Sequence, residues 1–399
     1  MGKHILFVAI GGNGHVFPTL GLVGELTRRG HRVTYVTTEA FAEKIEAEGA
    51  RFAPYKSIFD DIDLEDVVAH EDAETYSRML FLDENIAMLR ACEEHLADDP
   101  PDLVAYEVFP TIAGRLLAAK WDRPALCHNG GFASNEHFSL WQALVETQGH
   151  RPWPENETFS TAVEQLMAEY GVDWAVADFF EVQEACTILF IPRSWQIRGE
   201  TFDETNHFVG PIFAPQRLQS GWQPPASGRP VLLISLGDDF NDQPDFFRAV
   251  ARSFAGTRWH VVMATGRTDL ALVGDLPENV EAHPWITFTE VLPHTSAFLT
   301  QGSPGAIMEG MHFGVPLVIF SEFAAEVEMI AGRALELGIG YELSRETFDA
   351  GGFPDLVERL VADPGVRERV ERMRTDLREA GGAVAGADVI EDYLRSVAR

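Results

Sequence analysis

Short, nearly unbroken apolar runs closed by glycine set the texture of this chain. Residues 5 to 10 (Ile-Leu-Phe-Val-Ala-Ile, entered from His4) have the length and continuity of a strand buried on both faces. Gly11-Gly12-Asn13-Gly14 then predicts a tight turn, after which Val16, Leu20, Val23 and Leu26 recur at helical spacing. Arg29-Gly30-His31 closes that helix, and residues 32 to 37 predict the next strand. Strand, glycine turn, helix and strand in that order open a doubly wound parallel sheet. Further strands are expected at 102–106, 124–127 and 187–191.

Between about 210 and 230 the texture changes. Pro211, Pro215, Pro224, Pro225 and Pro230, with Gly210, Gly221 and Gly228, exclude a continuous helix or a central strand there. Residues 230 to 237 then repeat the opening strand and glycine turn, and strands are expected at 259–264, 280–282, 297–300 and 316–320. From about 355 the tail is helical and charged, and is expected to pack on the outside. A chain of 399 residues also exceeds what a single core supports. The expected fold is therefore α/β, with two doubly wound Rossmann-like domains facing across a cleft. The first domain takes 1–213, the linker 214–229, the second domain 230–380 and a C-terminal helix 381–399.

Composition narrows the partners. Hydrophobic residues at 46% and charged residues at 23% exclude wholesale disorder. A net charge of −31 argues against nucleic acid and against a membrane surface. The first apolar run is too short for a signal peptide or a bilayer span, and Cys92, Cys127 and Cys186 are odd in number and form no CxxC, so a reduced, cytoplasmic location without structural zinc is expected. Asp60 to Glu74, with eight carboxylates in fifteen residues, reads as a solvated face and not as a metal site. Residues 141–160, rich in Trp, Pro, His and Asn, look like an insertion over a substrate cleft.

Ligands of such folds bind beyond the carboxyl ends of the strands, so the turns there are the places for chemistry. His15 lies at a helix start, where the helix dipole favours the neutral imidazole that a general base needs; a histidine that only caps or packs the turn is the plainer alternative. Glu107 ends the strand 103–106 beside the first turn, where a carboxylate bonded to His15 would fix its tautomer and stabilise the imidazolium; the alternative is a solvent-facing loop glutamate. Thr300 to Gly310 reads as strand end, glycine turn and helix start, whose backbone N–H groups suit a phosphate, although Pro304 supplies none. Gly12-x-Gly14 with Glu39 imitates a dinucleotide fingerprint, but Phe17 and Pro18 stand where its third glycine belongs. Phe109, Phe132, Phe138, Trp141 and Trp153 offer apolar surface near strand ends for an acceptor molecule, each being alternatively a core residue.

Taken together these segments resemble a known family, the inverting, metal-independent nucleotide-sugar glycosyltransferases of the GT-B fold that decorate macrolides, enediynes and other natural products. The resemblance covers nearly the whole chain. It rests on Gly14-His15-Val16-Phe17-Pro18, residues 101–107, Gly210-Pro211, Leu233-Ile234-Ser235-Leu236-Gly237, Pro284-Trp285-Ile286, and Thr300 to Glu309 followed by Gly314-Val315-Pro316. The enediyne branch, which includes the calicheamicin glycosyltransferases, is nearest in pattern.

The resemblance implies that His15 is the general base and Glu107 its partner, that Trp285 lies against the nucleotide base, and that the turn from Gly302 to Ala306 holds the diphosphate. Gly14, Gly237, Asp238, Gln301, Ser303, Gly305, Glu309 and Glu326 fall in the other donor-binding segments. It also implies displacement at the anomeric carbon with inversion, fixed dipoles stabilising the leaving diphosphate without metal or cofactor. The chain departs from the pattern at four places. Glu107 replaces the usual Asp, and Gln301 replaces a His. Asp238 stands where Ser, Thr or Asn is common, and a carboxylate at near contact with a diphosphate costs about 1 to 4 kcal/mol unless it turns away, is protonated or shares a cation. Ala325-Glu326 replaces the Asp-Gln that grips donor hydroxyls, which points to a hydroxyl-poor deoxysugar.

The expected activity is transfer of a deoxysugar from a nucleotide diphosphate, thymidine diphosphate foremost, to a natural-product aglycone. The oligomeric state stays open, a homodimer included. A catalytically silent relative that binds a partner enzyme or sequesters the aglycone is the alternative from another class, separated from the first by donor binding.

Overall fold

The computed structural model describes residues 2–62, 67, 70–140, 142–143, 156–181, 183–213, 220–237, 241–321 and 325–398. The chain divides into two compact units, Met1–Phe213 with Ala380–Arg399, and Ala214–Glu379.

The first unit is built on seven strands in the order β3-β2-β1-β4-β5-β6-β7. They are β1 His4–Val8, β2 Arg32–Thr37, β3 Arg51–Pro54, β4 Leu103–Glu107, β5 Ala125–Asn129, β6 Thr187–Leu189 and β7 Asn206–Phe208, and every pairing is parallel. Every residue of β1 and β4 is buried, which is why both read as continuous apolar runs instead of alternating ones. One face of the sheet packs Phe7 and Ala105 against Val16, Leu20, Val23 and Leu26 of α1 (Asn13–Arg28). The other packs Leu6, Val8 and Val104 against α2 (Ala73–His95) and α3 (Thr111–Trp121). Strand order reverses between β1 and β4. That reversal is the switch point at which doubly wound sheets bind ligands, and both α1 and the end of β4 lie there.

The helical tail does not simply coat the outside. Its last helix, Gly382–Val397, buries Ala387, Ile390 and Leu394 in the core of the first unit, next to α1. Small residues permit this closeness: a Cβ on Gly386 would lie 3.1 Å from Leu22 Cδ1. Arg29 Nη1 fastens the helix, 2.6 Å from Asp388 Oδ1 and 3.0 Å from Glu391 Oε2.

The second unit repeats the plan with six parallel strands, β10-β9-β8-β11-β12-β13. They are β8 Val231–Ser235, β9 His260–Ala264, β10 Val280–His283, β11 Thr295–Thr300, β12 Leu317–Ile319 and β13 Gly340–Glu342. Order reverses between β8 and β11, so the loops after Ser235 and Thr300 occupy the equivalent position. Of the linker expected at 214–229, residues 214–219 lie outside those described, and residues 220–222 are strapped to this unit. The backbone N–H of Ser220 donates to Glu290 Oε2 at 2.6 Å, and Trp222 Nε1 donates to Glu281 Oε1 at 2.8 Å. Among the described residues of the chain, no helix is long and apolar enough to cross a membrane.

Candidate active site

At the switch point of the first sheet, Gly12 precedes α1 in extended conformation and its carbonyl accepts from the N–H groups of His15 and Val16. His15 thus sits in the first helical turn with its ring a third exposed. Its Nδ1 lies 3.4 Å from Oε1 of Glu107, whose side chain is 6% exposed and closes the end of β4. The second oxygen of Glu107 accepts from the N–H of Phe109 at 3.2 Å, so the carboxylate is held from both sides. Phe109 meets the imidazole edge-on, with centroids 5.1 Å apart at 89°, and is itself 38% exposed. The pair therefore has one buried, oriented carboxylate and one solvent-accessible imidazole, an arrangement suited to accepting a proton and stabilising the resulting cation.

Beside Glu107 in register stands His128 of β5, fully buried between Phe7 and Phe190. Burial holds it neutral, with its pKa pushed down to about 3, and neither ring nitrogen has a partner among the described residues. Sequence reading passed over it because a histidine inside an apolar strand looks like core.

In the second unit, Gln301 and Gly302 follow β11. Gln301 is buried and its side-chain amide donates to the carbonyl of Leu236, which ties this loop to the one after β8. Gly302 has φ +107°, a conformation that excludes side chains with a Cβ. Ser303 then caps α4 (Pro304–Phe313) without a side-chain bond to its N–H groups, and Pro304 occupies the first helical position. The helix start thus presents the N–H groups of Gly305 and Ala306 at the positive end of its dipole, with open space at Gly305 where a Cβ would sit. Glu309 lies farther along α4. Burial pushes its carboxyl up to about 7 although part of the side chain reaches the surface.

The remaining expected residues scatter. Trp285 is 57% exposed and open to stack on a flat ring. Gly237 has φ +75°, and its carbonyl accepts from Asn241 Nδ2 at 2.7 Å, with Asn241 Oδ1 in turn accepting from the N–H of Arg267. Asn241 was missed by sequence reading. Gly14 is exposed, with nothing within 4 Å of where its Cβ would be. Phe132 is only 2% exposed, stacked on Trp195 and edge-on to Phe138, so it packs the core where acceptor surface was expected. Phe138 is half-buried. Trp141, Trp153, Asp238 and the side chain of Glu326 lie outside the described residues.

Two family models match the chain. Residues 5–106 match the glycosyltransferase family 28 N-terminal domain, and residues 253–382 match the erythromycin biosynthesis protein CIII-like C-terminal domain. Among curated relatives, the NDP-glycosyltransferase YjiC of Bacillus licheniformis is 35% identical over 98% of each chain. Demethyllactenocin mycarosyltransferase of Streptomyces fradiae is 34% identical over 99% of this chain and 87% of its own. The crystal structure of CalG4, the calicheamicin glycosyltransferase, superposes with a TM-score of 0.91 at 50% identity over the whole of both chains. The chain belongs to this family of natural-product glycosyltransferases.

For the glycosyltransferase, Gly12 acquires a reason beyond the turn. A Cβ there would come 2.8 Å from His15 Cδ2, so Gly12→Ala forces the imidazole to move while adding little bulk elsewhere. With His15 as the base expected from the sequence, turnover should fall at least tenfold in that variant, with the melting temperature nearly unchanged. Equal turnover in Gly12→Ala and the wild type would show that the ring position is not critical.

Proposed function

We propose that the enzyme transfers a sugar, a deoxysugar in particular, from thymidine diphosphate to a hydroxyl group of an apolar natural-product aglycone, with inversion. The observation that carries this reading is the His15–Glu107 pair at the switch point of the first sheet. With Nδ1 turned toward Glu107, Nε2 of His15 takes the acceptor hydroxyl proton as that oxygen bonds to the anomeric carbon. The bond from that carbon to the diphosphate breaks on the opposite side, and the diphosphate departs with the electron pair. In the second unit, the N–H groups at the start of α4 stabilise the charge on the leaving group. Trp285 stacks on the base, and Glu309 accepts from the ribose.

Two features support the finer choices. Ala325 removes the carboxylate that many relatives set against sugar hydroxyls, which favours a hydroxyl-poor donor. Exposed Phe109, edge-on to His15, favours an apolar acceptor at that ring. Fixed dipoles take the place of a metal, so calorimetric titration with thymidine and uridine diphosphates is expected to show binding in the absence of magnesium, tighter for thymidine. Binding only with magnesium would mean that Asp238 or Asp239 shares a cation with the phosphates. No binding at millimolar ligand in either condition would replace the transfer reading with that of a silent binding protein.

A further inference from the structure

Two consecutive residues in the middle of α2, Glu84 and Asn85, are each 1% exposed; Glu84 binds the loop after the edge strand β3, and Asn85 binds the loop after β4 at the switch point. The carboxylate of Glu84 accepts three hydrogen bonds, from Tyr55 Oη at 2.6 Å, Ser57 Oγ at 2.8 Å and the N–H of Ile58 at 2.8 Å. Tyr55 passes the connection on, because its hydroxyl oxygen accepts from the N–H of Gly11 at 3.2 Å. Gly11 adjoins Gly12, whose carbonyl starts the helix that carries His15. Asn85 serves the other loop. Its Nδ2 donates to the carbonyl of Phe109 at 3.3 Å, and its Oδ1 accepts from the N–H of Ala113 at 3.1 Å. That N–H belongs to the first turn of α3, whose cap residue is Pro110 and has no side-chain acceptor of its own. Asn85 thus caps α3 from outside and holds the segment directly after Glu107.

We propose that Glu84 and Asn85 are positioning residues for the transfer step. From adjacent places on one helix they fasten the loops that carry His15 and Glu107, and so set the separation of the two groups. This rests on reading His15 as the base and Glu107 as its partner. Both side chains are buried and every polar atom of each has at least one hydrogen-bond partner, which makes the connection stiff. Neither residue touches the imidazole or the Glu107 carboxylate, so each acts only through the loop that it holds.

The test uses the full chain with Tyr55→Phe, which removes one hydroxyl and almost no volume, and Asn85→Ala. Should Asn85→Ala not fold, Asn85→Asp keeps the acceptor for Ala113 and loses the donor to Phe109. Turnover is followed with a thymidine-diphosphate-linked deoxyhexose and the apolar hydroxylated aglycone that the wild type converts fastest, and amide exchange is followed at Gly11 and Ala113. Each variant is expected to lower kcat about tenfold at unchanged donor KM, and to have less than a twofold effect in a His15→Ala background. Exchange at Gly11 should accelerate in Tyr55→Phe, and at Ala113 in the Asn85 variant. Equal losses in both backgrounds, or unchanged kcat and exchange, overturn the positioning role. A near-normal rate for His15→Ala alone overturns the base assignment instead, and the clamp then falls only if amide exchange is also unchanged.

Discussion

Replacing His15 by alanine is expected to lower kcat by at least about 100-fold while leaving thymidine diphosphate affinity within about twofold. The reason for the split is structural: His15 and Glu107 belong to the first unit, and the loops after β8 and β11, proposed to hold the donor, belong to the second. A base that acts only as the acceptor proton departs adds nothing to ground-state binding of the nucleotide. Glu107→Gln is expected to cost less, about tenfold, because the amide keeps its place beside Phe109 but no longer stabilises an imidazolium 3.4 Å away. In the double variant the Glu107 effect should largely vanish, as groups that work as a unit are not additive. Steady-state kinetics of the four proteins in that cycle decide the matter. Near-normal turnover in His15→Ala would remove it from the chemistry, and full additivity would separate Glu107 from it.

Most of the framework was legible because parallel strands buried on both faces write themselves as apolar runs. β1, β4, β8 and β11 were each expected to within about two residues. The strands that escaped, β3, β7 and β13, have three or four residues, and their sequences Arg-Phe-Ala-Pro, Asn-His-Phe and Gly-Tyr-Glu carry polar residues or proline. β3, β7 and β13 lie at sheet edges, where one side of the backbone has no strand partner and continuous hydrophobicity is not required. Tertiary pairing, not local pattern, makes them strands.

The candidate residues expected from the sequence coincide with turns: Glu107 ends β4, Gly237 and Gly302 follow β8 and β11, and His15 lies in the first turn of the helix after β1, on the side where doubly wound sheets bind ligands. What holds the site was not seen, although a signal was available. Leu80, Glu84, Met88 and Cys92 share one stripe of α2, and Leu82, Asn85 and Leu89 share the next. A carboxylate and an amide inside apolar stripes imply buried partners. Their partners, Tyr55 and the loop at Phe109, are 29 and 24 residues away, and only the fold brings them together. Phe132 went the other way. Its position after β5 suggested an acceptor surface, but Trp195, from a distant loop, covers it.

Glu309 is expected to make the ligand-free enzyme less stable as pH rises, and Glu309→Gln to remove that penalty. The carboxyl titrates at about 7 in the folded chain because burial disfavours its charged form, against 4.5 when unperturbed. Below pH 4.5 both folded and unfolded chains hold the proton and nothing is lost. Between pH 4.5 and 7 the unfolded chain releases it while the folded chain retains it, so stability falls with pH, by about 3 kcal/mol in all. Above pH 7 the loss is constant. Denaturant unfolding of Glu309→Gln should therefore show a shallower pH dependence than the wild type and a higher midpoint at pH 8, with the two proteins converging near pH 4. A carboxylate kept at such a cost on the helix that follows the loop proposed to hold the donor suits a group that hydroxyl donors of a bound nucleotide will satisfy. The same substitution should accordingly weaken thymidine diphosphate binding roughly tenfold at pH 8, because a charge-assisted bond is replaced by a neutral one. Parallel pH profiles for the two proteins would show that burial of Glu309 is not costly. Unchanged nucleotide affinity at pH 8 would show that the carboxylate does not meet the ribose.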